Sequence, residues 1–301
     1  MADIFTVASK EFSDIVKSRR FIVLIIIFGL VMIIPMVTIY VRVIQTMPSL
    51  PGVPMPRGFL GMMAFMLSST LSTFAPVMGL ALGCDTISAE REKGTLKIIL
   101  AQPIFRDTVI NGKFLAAASA VSLAVLITSL ASIGASTVIM GVTPTVEEAL
   151  RMILFLLFSI LFTMTYYGIA AFLSTILKKT SQSVILSVTI WMVFTFVVPI
   201  IASLIAITIA PPQFTPGQPS NIESMRRFTA IVETISSITP NYHFNKIGQY
   251  LLSPYATTPT QEKTSIASSL MYAGPNMLIL IIVTTLAFIL SYITFTRQEV
   301  K

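Results

Sequence analysis

The chain has 301 residues, of which 54% are hydrophobic and 11% are charged, and its formal net charge is +7. A soluble globular domain carries about 25% charged residues, so this chain has too few charges to cover a surface in water. Disordered chains are excluded as well, because they are polar and highly charged. Without a basic stripe interleaved with aromatic residues, the positive charge indicates membrane topology and no nucleic-acid partner.

The first 20 residues predict an amphipathic helix. Six apolar residues between Ile4 and Val16 recur at helical spacing, whereas Lys10 and Glu11 lie on other faces. Because this helix leads directly into an apolar run, we expect residues 1–20 to lie on the inner leaflet of a lipid bilayer. A solvated helical arm is the alternative.

Six apolar runs follow, and within these bounds none contains Asp, Glu, Lys, Arg or His. Each run exceeds the roughly 20 residues that a helix needs to cross a bilayer. The fold class expected is therefore all-α, a polytopic membrane protein with six transmembrane helices in a single domain, residues 1–301. The runs are Phe21–Val41, Phe59–Gly83, Phe114–Met140, Met152–Leu177, Val184–Ile209 and Pro275–Thr296.

The distribution of basic residues predicts the orientation of these helices. With the N-terminus inside, 13 Lys and Arg residues lie on the inner side and 7 on the outer side, as the positive-inside rule requires. Both termini are then cytoplasmic, at the plasma membrane, and residues 210–274 form an extracytoplasmic segment. Asn221–Ser237 has helical composition, which predicts either an outer lid or a re-entrant helix.

Motifs for catalysis are missing from the sequence. It contains no H-E-x-x-H and no G-x-S-x-G, and its only Gly-Lys pair, Gly112-Lys113, has no phosphate-binding loop around it. We therefore expect no catalytic residue, no metal and no cofactor in this chain. Its single histidine, His243, is interpreted as an ordinary loop residue.

Two glycines four residues apart, Gly79 and Gly83, form a G-x-x-x-G pattern on the second run. Small residues at this spacing allow close helix packing in membranes. We expect packing within the subunit, with a seam between two subunits as the alternative.

The loop after the second run, residues 84–108, is the most informative stretch. Asp85 is predicted to cap a short helix over Ile87–Lys93, Gly94 permits a bend, and Pro103 ends the segment. A short charged element between two membrane helices suits docking onto a soluble partner. A solvated connecting loop is the alternative.

The residues of this loop follow the pattern D-x-I-x-x-E-R-x-x-G-T-L…L…P-I-x-R…K, and in this the chain resembles the ABC-2 type transporter permeases. Lys10-Glu11, Arg20 and the proline in the first run also resemble that family, as do the six runs and the long outer segment. The matching residues are Asp85, Ile87, Glu90, Arg91, Gly94, Thr95, Leu96, Leu100, Pro103, Ile104, Arg106 and Lys113.

This resemblance implies a machine with several subunits. Two permease chains, identical or different, pair and bind separate ABC ATPase subunits, which hold ATP and Mg²⁺. Closure of the ATPases would push on residues 85–100. Glu90 and Arg91 are expected to make charge-assisted contacts with the ATPase, and Gly94-Thr95 to shape the turn.

The sequence thus predicts the permease subunit of an ABC exporter that moves an apolar or amphipathic substrate outward. One alternative is a secondary carrier driven by an ion gradient, which the lack of ionisable groups in the runs disfavours. Another is a membrane component that passes ATPase motion to an external partner without transport.

Overall fold

The structure is a computed structural model that describes residues 3–46, 58–96, 101, 105–140, 143–211, 222–252 and 265–297. Within these ranges every regular element is a helix, which confirms the predicted all-α class. The helices are α1 (Ile4–Lys17), α2 (Arg19–Thr46), α3 (Gly58–Gly83), α4 (Ser88–Glu92), α5 (Arg106–Met140), α6 (Val146–Ile176), α7 (Thr180–Met192), α8 (Val198–Ile209), α9 (Ile222–Ser236), α10 (Pro240–Leu252) and α11 (Ile266–Arg297).

The described residues contain five or six candidate membrane-crossing helices, and the sequence predicts six. Five helical segments, on α3, α5, α6, the continuous α7–α8 and α11, are long and apolar enough to cross a membrane. The first predicted run lies on α2, which passes the same test only together with α1, and the two helices meet at an angle of 64°. The bend turns α1 away from the direction of α2.

Helix boundaries extend beyond the apolar runs. The third run begins at Phe114, whereas α5 begins at Arg106 and is 35 residues long. Hydropathy marks only the part of a helix that suits lipid, while backbone hydrogen bonding continues into the polar turns that follow. Residues 106–108, at the end of the predicted coupling segment, therefore belong to the first turn of α5.

A π-helical turn, Val193–Val197, joins α7 to α8 within one continuous helix. Pro199 follows in the first turn of α8 and has no N–H to donate to the preceding turn. Such π turns inside α-helices are frequent at functional sites.

The described part of the segment between α8 and α11, residues 222–252, forms two helices. The helix predicted at Asn221–Ser237 is confirmed as α9, which packs along α8. The second, α10, was not predicted; it buries Phe244, Ile247 and Leu251 completely.

The interpretation of His243 as a loop residue is wrong, because it lies in α10 and is 6% exposed. Its Nδ1 is 2.8 Å from Oδ1 of Asn276, and its Nε2 is 2.8 Å from the carbonyl oxygen of Ser237.

The helix α6 lies at the centre of the bundle, packed against α3, α5, α10 and α11. Near its start, the buried Arg151 donates to the carbonyl oxygen of Leu251 on α10 at 3.2 Å. It also donates to Oγ of Ser269 on α11 at 2.8 Å. These bonds join the three helices at the end of the bundle that carries α10, and α4 lies at the opposite end.

The two glycines of the G-x-x-x-G pattern belong to α3 and pack against the backbone of α6. A Cβ atom at Gly79 would collide with the carbonyl oxygen of Thr163 and would lie 2.9 Å from the backbone nitrogen of Tyr167. At Gly83 it would lie 2.6 Å from the carbonyl oxygen of Tyr167. These contacts are made inside one chain, and they bring the backbones of α3 and α6 together.

Candidate functional site

The candidate site is built around the short helix α4. Ile87 before it and Leu96 after it are 0% and 2% exposed, and both are buried against α5 and α6. Apolar anchors on both sides hold the charged turn between them at the end of the bundle. We call residues 85–96, with their partners on α1, α2, α5, α6 and α7, the α4 site.

The start of α4 is held by α6 and not by its own cap. The prediction that Asp85 caps the helix is wrong: the N-cap residue is Ile87, which has no side-chain cap bond. Instead, the buried hydroxyl of Ser174 accepts from the backbone N–H groups of Ile87 and Ser88, at 3.0 and 2.9 Å. One hydroxyl from α6 thereby satisfies two N–H groups that the first turn of a helix leaves free.

The carboxylate of Asp85 turns to the start of α2. Its Oδ2 accepts from Arg20 at 2.7 Å, but the Arg20 side chain is 83% exposed. Exposed ion pairs of this kind contribute little to stability. The contact therefore orients Asp85 more than it stabilises the bundle.

The centre of the α4 site is a triad of charges, Glu11, Lys113 and Glu90, in which the ammonium group is buried and the two carboxylates are partly buried. The Lys113 side chain is 6% exposed, and its Nζ donates to Glu90 at 2.7 Å and to Glu11 at 2.9 Å. The three residues come from α1, α5 and α4, so one ammonium group joins three separate helices. Buried charges require such partners, because an unpaired charge away from water is strongly unfavourable.

Glu11 is held in its ionised form in this triad. Burial by itself would raise the pKa of its carboxyl group, but the charges and hydrogen bonds of Lys113 and, to a smaller extent, Lys10 outweigh burial, so the pKa is lowered. The carboxylate therefore remains available to Lys113 at neutral pH. The amphipathic helix α1 is thereby attached to the site.

Arg91 binds the end of α6. Its guanidinium donates to the carbonyl oxygens of Leu177 at 2.7 Å and Thr175 at 2.9 Å. A cation at the C-terminus of a helix satisfies carbonyl groups that have no partner in the helix and complements its dipole. Arg91 and Ser174 together attach α4 to the C-terminal end of α6 by hydrogen bonds.

The remaining face of the α4 site is open. Glu92, Lys93 and Gly94 are exposed, and Oε2 of Glu92 accepts from the hydroxyl of Thr180, at the start of α7, at 2.7 Å. Gly94 has a φ of +71°, a backbone conformation that side chains other than glycine rarely adopt. The turn is closed by the Thr95 hydroxyl, which donates to the carbonyl oxygen of Glu90 at 3.2 Å.

The structure thus brings most of the predicted coupling residues into one place. Arg106 lies apart from α4, at the start of α5, where it donates to the carbonyl oxygen of Thr296 on α11 at 3.4 Å. Leu100 and Pro103 lie outside the described residues. The predicted coupling residues within the α4 site are Asp85, Ile87, Glu90, Arg91, Gly94, Thr95 and Leu96.

Several members of the site were not predicted as coupling residues, among them Glu11, Ser174 and Thr180. Glu11 belongs to the polar face of α1, and its charge on that face was the available signal. Ser174 is one hydroxyl in an apolar run and carried no signal, since its role depends on where α4 meets α6. The site as a whole connects α4 to α1, α2, α5, α6 and α7 by charged and hydrogen-bonding contacts.

The chain matches a known protein family over almost its whole length. Residues 5–300 match the family model described as ABC-2 family transporter protein. No curated protein matches the chain. With the apolar helices described above, the match makes the chain a multi-pass membrane protein.

Proposed function

The chain belongs to the ABC-2 transporter family, and from this premise we propose that it is the permease subunit of an ATP-binding cassette exporter. A separate ATPase would dock at the α4 site. One observation carries the proposal: α4 is bonded to α1, α5 and α6 on one side, while Glu92, Lys93 and Gly94 are exposed on the other. A force applied to the exposed side would therefore reach several membrane helices together.

We propose that the α4 site and both termini lie in the cytoplasm, at the plasma membrane, with α9 and α10 outside. The count of 13 inner against 7 outer Lys and Arg residues supports this orientation. The exposed basic residues Lys93, Lys178 and Lys179 lie at the α4 end, as the rule requires of the inner side.

The proposed assembly contains two permease chains, identical or different. In the most apolar stretch of α7–α8, 11% of the residues are buried within the chain. A second chain and lipid would cover the rest.

ATP and Mg²⁺ would be held by the ATPase subunits, and this chain would hydrolyse no nucleotide itself. Two conformations of the bundle, biased by the nucleotide state of the ATPase, would move an apolar or amphipathic substrate outward.

The first test concerns the exposed side of α4. Reversing both charges, Glu92→Lys with Lys93→Glu, is expected to weaken binding of the ATPase about tenfold, because charges at an interface must complement the partner. The measurement is co-purification with the ATPase that we expect in the adjacent reading frame. The heat stability of the purified chain should stay unchanged, and undiminished co-purification would contradict docking at this face.

The second test concerns the bonded side of α4. Replacing Glu90 and Arg91 by Ala is expected to weaken co-purification as well, while the six spans still insert. These side chains contact Lys113 and the end of α6, so the loss would come from a displaced α4. Unlike the charge reversal, this double variant should also lower the heat stability of the chain. Normal stability together with normal docking would show that α4 needs neither anchor.

Vesicle experiments separate the proposal from its alternatives. An exporter subunit is inactive without the ATPase and moves substrate when ATP is present. A secondary carrier would be active as the chain alone in an ion gradient. A non-transporting component would show nucleotide-dependent movement of residues 210–274 without any flux.

A further inference from the structure

A cavity of about 680 Å³ opens at the end of the bundle that carries α10, between α3, the π-helical turn, α9 and α10. Its α3 wall is a row of hydroxyl groups, and its α10 wall carries carboxamides. Both kinds of group donate and accept hydrogen bonds without carrying charge. The residues on these two walls are Ser68, Ser69, Ser72 and Thr73 on α3, and Asn241, Asn245 and Gln249 on α10.

The charges of the cavity cancel. Among the described residues that line it, the acid is Glu233 and the base is Lys246, and they form an ion pair at 2.7 Å. Burial by itself would lower the pKa of the Lys246 ammonium, but the hydrogen bond and charge of Glu233 outweigh burial, so the pKa is raised. Lys246 therefore stays charged and paired, and a ligand with a net charge finds no free counter-ion among these groups.

The inner wall of the cavity is held by Asn241, which is 7% exposed. Its Oδ1 accepts from the Tyr166 hydroxyl of α6, and its Nδ2 donates to Thr195 Oγ1 at 3.2 Å and to the Ser72 carbonyl oxygen at 3.3 Å. One carboxamide thus joins α3, α6, α10 and the π-helical turn. These bonds fix the cavity wall in place, as a binding site requires.

The cavity is accessible from outside the bundle, and apolar surface lies beside it. Asn245 and Gln249 are exposed, whereas Ser72 in the interior is 5% exposed. Pro199 lines the cavity, and the next two residues of α8, Ile200 and Ile201, are 57% and 47% exposed. An uncharged polar group in the cavity could therefore carry an apolar tail along α8.

We propose that this cavity binds an uncharged, hydroxyl- or amide-rich group, as the head of an amphiphile or as a free molecule. If the chain is an exporter subunit as proposed above, this group belongs to its substrate. The geometry of the walls favours many weak hydrogen bonds over one strong ionic contact, and the aromatic rings of Phe194 and Tyr242 add flat apolar surface.

The test uses the full chain in nanodiscs and a cysteine placed in the cavity, Thr73→Cys. Its modification by a charged, membrane-impermeant thiol reagent is followed with time. The probes are octyl glucoside below its micelle concentration, octyl sulfate and octyltrimethylammonium with the same tail, and methyl glucoside without a tail. The wild-type chain, whose single cysteine Cys84 is buried, gives the background, and Ser265→Cys outside the cavity corrects for effects on the membrane.

Octyl glucoside at ten times its dissociation constant should slow modification about tenfold, because about one site in ten stays free. The two charged amphiphiles should not slow it. Adding Asn245→Leu and Gln249→Leu should abolish the protection. Equal protection by methyl glucoside identifies a free molecule as the ligand, and its absence identifies an amphiphile.

Protection by the charged amphiphiles, protection that survives the two leucines, or no protection by octyl glucoside would overturn the proposal. The assay needs neither ATPase nor nucleotide. A failure here therefore leaves docking at the α4 site untouched, and a failure of the docking experiments leaves this result intact.

Discussion

Lys113→Met is expected to destabilise the chain more than any substitution on its surface. The change removes the ammonium group that Glu11 and Glu90, each 19% exposed, share; Glu11 keeps only the exposed Lys10, at 3.2 Å. Breaking a buried ion pair from one side costs about 3–5 kcal/mol, because a charge that stays away from water loses its partner, as Glu90 does here. For a chain of this size, the unfolding temperature should fall by roughly 10 °C. The measurement is the fraction of monodisperse protein left in detergent after heating, by size-exclusion chromatography.

The matched control for this prediction is Lys93→Met, the same substitution on the exposed side of the α4 site. It should leave the unfolding temperature unchanged while it weakens the ATPase contact. A triple variant, Lys113→Met with Glu11→Gln and Glu90→Gln, should recover part of the loss, since it leaves no unpaired charge. If Lys113→Met melts like the wild-type chain, the triad does not hold α1, α4 and α5 together.

Gly79→Leu is the second substitution with a large expected effect. Its Cβ alone would collide with the Thr163 carbonyl oxygen and approach the Tyr167 nitrogen. These are backbone atoms, which cannot rotate away as a side chain can, so α3 and α6 must separate. Overpacking in a core costs about 1–3 kcal/mol and occasionally more, and a backbone collision belongs at the upper end of that range. The expected result is a chain that inserts but melts early or aggregates in detergent.

Gly134→Ala provides the control for this prediction. Gly134 lies within α5, and a Cβ there meets nothing within 4 Å. Alanine should therefore be neutral or should stabilise the helix by about 0.5–1 kcal/mol, as the loss of glycine in a helix allows. Equal melting temperatures for Gly79→Leu and Gly134→Ala would show that α3 and α6 do not approach as closely as described.

The candidate site was predictable in part. The charged turn from Asp85 to Gly94 stands out between apolar runs, and its motif identified the family that the profile match shows. The partners of its side chains were not predictable. The contact of Glu90 and Arg91 with an ATPase stays a prediction, and the bonds that they make within the chain, to Lys113 and the end of α6, were not foreseen. The exposed residues are the next two in the sequence, Glu92 and Lys93.

The outer segment was also predictable only in part. The composition of Asn221–Ser237 predicted α9, because helical spacing is a local property. The helix α10 was missed, although Phe244, Ile247 and Leu251 recur at helical spacing on one face. Its polar residues resembled a loop, and only the packed structure shows that they face a cavity.

The sequence by itself determined the fold class of the protein and the place of its charged turn, and it predicted where apolar helices could cross a membrane. These features depend on composition and on short-range spacing, since lipid demands apolar helices of a known length. Only the tertiary structure decided which charges meet, which glycines touch a neighbouring backbone and where a polar cavity forms. Those contacts join residues far apart along the chain, such as Glu11 and Lys113 or Asn241 and Ser72, and their geometry depends on how whole helices pack.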